Sequence, residues 1–421
     1  MRNQKHFVAM SAAFLLSALI LCVAPIQAFA QKEEVLHSFS ITDKAGFSPL
    51  APLIADSAGN FYGTTEFGGI YSGGTDNGGV VFELSPISGG HWTLKVLHNF
   101  GNGSDGNIPQ GSLIFDASGN LYGATIEGGA YNAGIAFELS PQTMGPWRET
   151  ILHNFNFNGT DGYSPVGGLT LDAAGNLYGN TSGGGAHNNG AVFKLSSGSG
   201  ETWDETLLHS FGSGEDGSTP EIGGLIIDGA GNLFGTTGFG GSYNNGSVFE
   251  ISPASGGTWT EKVIFSFNAD SREGYFPGSG LIFDSTGNLY GAAQMGGGYG
   301  GGVVYELSSG SDGVWSYKVL YNFRQNSTDG RNPTASLIFD SAGNLYGTTS
   351  AGGAYGYGTA FELSLKAGGG WKENVLHSFN NNGADGYDPV VPLTLDPAGN
   401  LYSTTQPGGA NAGGTIFRIK P

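Results

Sequence analysis

Asp284-Ser285-Thr286-Gly287-Asn288-Leu289-Tyr290 decides the fold. The acidic residue and Gly287 mark a tight turn, since glycine supplies positive φ at no steric cost and aspartate accepts hydrogen bonds from backbone N–H groups two or three residues on. Before the turn lies the apolar run Leu281-Ile282-Phe283, and after it Asn288 to Ala292, so the stretch reads as a β-hairpin. Relatives of this turn begin at Asp56, Asp116, Asp172, Asp228, Asp340 and Asp396, spaced by 60 residues once and by 56 thereafter. A constant period means one structural unit per copy.

Working outward from the hairpin, each copy continues with a glycine-rich gap, Gly296 to Gly302 here, and a third strand, Val303-Val304-Tyr305-Glu306-Leu307. A fourth runs from Trp315 to Phe323. We label the four a, b, c and d. Strand c recurs as Val80–Leu84, Ile135–Leu139, Ala191–Leu195, Ser247–Ile251, Thr359–Leu363 and Thr415–Ile419. Strand d begins at Trp92, Trp147, Trp203, Trp259, Trp315 and Trp371, and closes on tripeptides such as His98-Asn99-Phe100 and His377-Ser378-Phe379. Turn aspartate and tryptophan are 31 residues apart in every copy except the first, where they are 36 apart, which confines an insertion to one b–c loop. No useful helical period appears after residue 30.

The two ends of the array complement each other. Val35 to Phe39 is a strand d with no a, b or c before it, and Leu393 to Ile419 is an a, b, c set with no d after it. A ring closed by the N-terminal strand leaves no exposed sheet edges, whereas an open stack would need capping units. The expectation is an all-β, seven-bladed β-propeller of four-stranded blades, a single domain over residues 31–421.

The tandem set Gly-Leu-Ile-Phe-Asp, Gly-Asn-Leu-Tyr-Gly, Val-Phe-Glu-Leu-Ser and His-Ser-Phe resembles the GloVer (Gloeo/Verruco) repeat proteins, a bacterial family of secreted or surface proteins, over residues 35 to 421. The resemblance implies location outside the cytoplasm and little about activity. Family members often end in a surface anchor. Only Lys420 and Pro421 follow Ile419, so release from the cell is the expectation. The Asp-x-x-Gly-Asn-Leu-Tyr hairpin also resembles the a–b turn of NHL-type and sugar-lactonase-type propellers, a resemblance that implies a at the central channel and d at the rim.

The first thirty residues carry Arg2 and Lys5, an apolar run from Phe7 to Ala24, and Ala28-Phe29-Ala30, the layout of a secretory signal peptide cleaved after Ala30. Cys22, the only cysteine, would leave with it, so the mature chain has no thiol for disulfides, thiolate metal sites or covalent catalysis. Loss of Arg2 and Lys5 takes the formal charge from −19 to −21. That charge disfavours nucleic acid and anionic membranes and favours cations. Glycine is abundant, with 77 residues, but 27 Phe and 18 Tyr suffice to fill a core.

Strands alternate in direction, so the d–a and b–c loops share one face of a propeller. The d–a loops carry Asp105, Asp161, Asp216, Asp329 and Asp385, each before a glycine, with Glu273 in the remaining place. Asn156 to Gly162 and Asn380 to Gly386 are dense in oxygen ligands, which makes these five aspartates candidate calcium ligands, although the spacing and closing glutamate of a calcium loop are missing. The b–c loops offer Tyr71, Tyr131, His187, Tyr243, Tyr299 and Tyr355 after Gly-Gly pairs, with amides beside several of them. Aromatic faces beside amides suit carbohydrate. Packing over the neighbouring blade is the structural alternative. The histidine near the end of strand d reads as structural, because Phe265 and Tyr321 replace it, which argues against metal ligation. Symmetry breaks (Lys194, Arg418, Arg272, Arg331, Glu221, Gln294, Gln406 and inserted Thr75-Asp76-Asn77) form no acid–base pair or nucleophile motif. The expectation is a non-catalytic binding or scaffold protein for carbohydrate or extracellular protein, a monomer, with a polysaccharide lyase or hydrolase at the channel mouth as the alternative.

Overall fold

The computed structural model describes residues 32–420 except positions 43, 72–77, 199–201, 213–214, 221–222, 271 and 311–312. Residues 1–30, where a signal peptide is expected, Glu221 and the insertion Thr75–Asn77 lie outside the described residues. The chain forms a seven-bladed β-propeller of antiparallel four-stranded sheets, with one turn of 3-10 helix at Ser255–Gly257 as the only helical element among the described residues. Blade 3 shows the plan: a, Gly162–Leu171; b, Leu177–Gly184; c, Ala191–Ser197; d, Trp203–Ser210. In blades 4 and 6 strand a is split into two short pieces.

Blade 7 takes strands a, b and c from Thr394–Leu395, Leu401–Thr405 and Ala412–Lys420, and strand d from Lys32–Ser40. Val35 pairs with Phe417 and His37 with Ile416, which closes the ring as the complementary ends require. Strand c normally faces lysine or a neutral residue across the c–d pair, as in Glu83 opposite Lys95 and Glu306 opposite Lys318. The closing blade reverses the charges: Arg418 stands opposite Glu34 with Nη2 2.5 Å from its carboxylate. The complementarity directs the N-terminal strand to the last blade, since glutamate at both positions would set like charges directly opposite.

The core is a set of interfaces between blades. The phenylalanine ending each strand d is fully buried and inserts against strand c of the next blade: Phe100 on Phe137 at 5.1 Å, Phe211 on Phe249 at 5.1 Å, and Phe39 on Phe82 at 5.5 Å across the closure. Near the axis small residues let the blades converge. A Cβ on Gly223 would lie 2.0 Å from the backbone nitrogen of Gly280, and one on Gly111 would lie 1.9 Å from the carbonyl oxygen of Gly167.

Candidate functional site

The turn aspartates form no cation site because their oxygens are already used. Asp284 Oδ1 accepts the N–H groups of Thr286 at 2.8 Å and Asn288 at 2.9 Å, while Oδ2 accepts from Asn288 Nδ2 at 2.8 Å and the Tyr290 hydroxyl at 3.2 Å. The partners lie two and four residues on, rather than two or three, because the hairpin closes by Asp284 N–H to Asn288 O and so spans five residues. Asp56, Asp116, Asp172, Asp340 and Asp396 repeat the pattern; Phe234 removes the hydroxyl partner of Asp228. Although burial opposes it, this donation holds the Asp284 carboxyl down at about 2, and lowers Asp56, Asp172, Asp340 and Asp396.

The tyrosines point outward. Tyr131, Tyr243, Tyr299 and Tyr355 are 55–58 % exposed, His187 is exposed, Tyr71 is 46 % exposed, and the Arg324 guanidinium lies 5.1 Å from the centre of the Tyr299 ring. Left-handed residues follow several of them, including Asn132 at φ 54° and Asn244 at φ 56°. The loops of Tyr131, Tyr243 and Tyr355 are pinned from two sides. The middle residue of the strand-d tripeptide accepts the N–H just before the tyrosine: Asn154 from Ala130 at 2.8 Å, Ser266 from Ser242 at 3.2 Å, Ser378 from Ala354 at 3.2 Å. From the next blade, Ser164 N–H reaches Ala133 O at 2.8 Å and Asp388 N–H reaches Tyr357 O at 3.0 Å. The residue at this place precedes a proline and has φ between 51° and 60° in all seven d–a loops, from Ser48 to Asp388. Positive φ on a residue with a side chain is costly and persists only where surroundings fix it. The result is a preorganised ring of exposed aromatics on one face. Phe157, Phe239 and Tyr357, exposed at 58 %, 43 % and 40 %, extend it, and Tyr357 packs on Tyr387 at 5.5 Å. These residues break the repeat, which hid them from a search for recurring positions.

At the axis lies a cavity of about 560 Å³, with Leu281, Leu337 and Leu393 in its apolar wall and Gln110, Gln294 and Gln406 as its amides. Beside it Glu66, 7 % exposed, accepts from Gln110 Nε2 at 2.5 Å, Gln406 Nε2 at 2.9 Å and Ser48 Oγ at 3.1 Å. Gln294 and Gln406 were visible as symmetry breaks. Glu66 and Gln110 were not, though Glu66 stands directly after strand b where other copies have Ile126, Ser182 and Gly238. The Glu66 carboxylate is thus committed to three donors among the described residues.

The d–a aspartates sit at separate seams between blades and do not gather in one place. Asp161 Oδ2 is 3.2 Å from His153 Nε2, with Glu205 of the next blade within reach. His98, Asp105 and Glu149 repeat this, as do His209, Asp216 and Glu261, and His377, Asp385 and Glu33 across the ring closure. At the seam of Asp329, Tyr321 replaces histidine and its hydroxyl lies 3.1 Å from Asp329 and 3.2 Å from Glu373. Burial first, and then the neighbouring aspartate, pushes the glutamates up: Glu149 to about 9, Glu373 to about 8, Glu205, Glu261 and Glu33 to about 7. The amide oxygens of the surrounding loops turn inward, Asn158 Oδ1 to the N–H groups of Thr160 and Asp161, Asn382 Oδ1 to those of Ala384 and Asp385. Of the other symmetry breaks, Lys194 lies 5.8 Å over the Tyr178 ring.

Residues 25–228 and 221–421 match the Gloeobacter/Verrucomicrobia repeat. No curated protein matches the chain. Among solved structures, the extracellular domain of a putative one-component system from B. thetaiotaomicron aligns over 93 % of this chain and 42 % of its own, at 13 % identity and TM-score 0.56. A puromycin-hydrolysing peptidase of Mycobacterium tuberculosis aligns over 91 % and 54 % at 12 % identity and TM-score 0.52. An ancestral GH74 enzyme aligns over 89 % and 51 % at 12 % identity and TM-score 0.52. This chain therefore spans about half the length of these structures, and identities this low establish likeness of fold alone. Among the described residues, no helix is long and apolar enough to cross a membrane.

Proposed function

We propose that this chain, which belongs to the Gloeobacter/Verrucomicrobia repeat family, is an exported, non-catalytic binding protein that presents its ring of b–c loop aromatics to carbohydrate at the cell exterior. The observation that carries the reading is the set of Tyr131, Tyr243, Tyr299 and Tyr355, each more than half exposed although its backbone is pinned from its own blade and, for Tyr131, Tyr243 and Tyr355, from the next as well. Rigid aromatic faces beside amides give stacking area for sugar C–H groups at little ordering cost. The layout of residues 1–30 supports export, and the net charge of −19 disfavours nucleic acid. An extracellular protein is the partner class the same surface accepts next, through aromatic anchors.

The axial cavity supports a second reading, a lyase or hydrolase acting on polysaccharide at the channel mouth, with Glu66 bonded to two of the amides that line it. The two readings separate in one experiment. On a glycan array the mature protein is expected to bind a restricted set of neutral glycans, and Tyr243→Ala with Tyr355→Ala to weaken binding about tenfold or more, the loss of one to two stacking contacts of roughly 1 kcal/mol each. Glu66→Gln should leave binding unchanged. Release of reducing ends that disappears in Glu66→Gln would establish the enzyme instead.

A further inference from the structure

We propose that four of the seams between blades are binding sites for a divalent transition-metal cation of the zinc class, each held by one imidazole and two carboxylates drawn from both flanking blades. The ligand sets are His98, Asp105 and Glu149; His153, Asp161 and Glu205; His209, Asp216 and Glu261; and His377, Asp385 and Glu33. Strand d of one blade gives the histidine, the loop after it the aspartate, and strand d of the next blade the glutamate.

The donor spacing fits such an ion. Zinc bonds to nitrogen and oxygen of about 2.0–2.2 Å place adjacent donors about 3.0 Å apart at a right angle and about 3.4 Å apart at the tetrahedral angle. The imidazole nitrogen is 3.2 Å from the aspartate oxygen in three sites and 3.0 Å in the fourth, and His98 Nε2 is 3.9 Å from Glu149 Oε1. Two carboxylates and one imidazole lie within 4.8 Å of one another at each half-buried seam, and a divalent cation can take the place of the proton that otherwise relieves this crowding. Oxygens remain available: Asp161 and Asp385 are each only 8 % exposed, yet Oδ1 of each has no hydrogen-bond partner, and Oε1 of Glu33, Glu149, Glu205 and Glu261 has none. The first site has an entry path, because His98, Asp105 and Glu149 line a surface cleft of about 480 Å³ walled by Tyr71 and Trp147.

The repeat supplies an internal comparison. Histidine and glutamate are lost together at the seam between blades 4 and 5, where Phe265 and Tyr317 take their places and stack at 4.1 Å with rings 7° apart. A hydroxyl replaces the imidazole at Tyr321, between both carboxylates. Replacement of histidine at two seams does not speak against ligation at the four that keep all three donors; at the seventh, between blades 7 and 1, His37 is kept but Ala45 and Leu94 stand in the places of the aspartate and glutamate. An imidazole in every set favours zinc-class ions over calcium, which takes oxygen ligands alone.

The test is titration of chelator-treated full-length mature protein with zinc chloride, followed by calorimetry and by metal content after dialysis. Wild type should take up four equivalents and melt at a higher temperature with zinc than without. His153→Asn should bind three. The variant with Glu33→Gln, Glu149→Gln, Glu205→Gln and Glu261→Gln should lose the uptake and the melting shift. Because His153→Asn touches one seam, its metal content reads out even if the fourfold variant folds poorly. Fewer than one equivalent in wild type at micromolar zinc, four retained in His153→Asn, or stoichiometric displacement by equimolar calcium would each overturn the assignment.

Discussion

Deleting residues 32–40 is expected to abolish the cooperative, high-temperature unfolding transition of the whole ring, lowering the thermal midpoint by more than roughly 10 °C or leaving the protein insoluble. The segment is strand d of blade 7, and its removal exposes one edge of Ala412–Lys420 and uncovers the Phe82 and Phe417 side of the closure. Phe39 alone is 1 % exposed, and loss of a phenylalanine so buried costs about 3–5 kcal/mol. A domain has only about 5–15 kcal/mol of net stability, so further loss of a full strand pairing leaves little. Differential scanning calorimetry of the deletion variant checks this. An unchanged midpoint would mean that the ring does not depend on that strand. The charge reversal gives a finer control: Arg418→Glu should lower the midpoint by setting like charges across the c–d pair, and Glu34→Arg in the same chain should restore it.

The second large effect is with pH. Hydrogen bonds from the turn hold the Asp284 carboxyl at about 2 and lower those of Asp56, Asp172, Asp340 and Asp396, against an ordinary value of 3.8. A carboxyl lowered by folding contributes stability above its unfolded pKa, and that contribution is lost as pH falls through the folded value. Urea midpoints should therefore rise as pH falls from about 9 toward 4.5, where the raised seam glutamates take up protons in the fold, and then fall between pH 4 and pH 2 as the turn carboxyls protonate. The seam glutamates shift the other way and are protonated in folded and unfolded chains alike below pH 4, so they add no slope there. Asp284→Asn should make the fall shallower in that window, and an equal slope would show that the turns do not carry it.

The fold was legible because its determinants are local and repeated. Asp284 and Gly287 make the same turn seven times, and the incomplete ends predict how the ring closes. The tripeptide ending strand d was harder to read, since its three side chains go to three places: histidine to the seam, asparagine or serine to the b–c loop, phenylalanine into the next blade. Only the phenylalanine announces itself by hydrophobicity. The seam sets were hidden by distance along the chain, His98 lying close to Glu149 and His377 to Glu33. Glu66 and Gln406, bonded at 2.9 Å, come from the first and last blades, and no spacing rule links them.

The tyrosines recur at one place in the repeat, and their repetition is the substance of the functional proposal. Near-equivalent shallow sites around a ring gain strength from a ligand that reaches several at once, through effective concentration and without new contacts. The direct measurement is calorimetric titration of the mature protein with one glycan taken from the array, as monomer and as a polymer long enough to cross the face. Monomer should bind weakly at more than one site per ring, and polymer about 100-fold or more tightly, with the gain lost in Tyr243→Ala with Tyr355→Ala. One site per ring, with no gain from polymer and with binding abolished by Gln294→Ala at the axial cavity, would contradict the account.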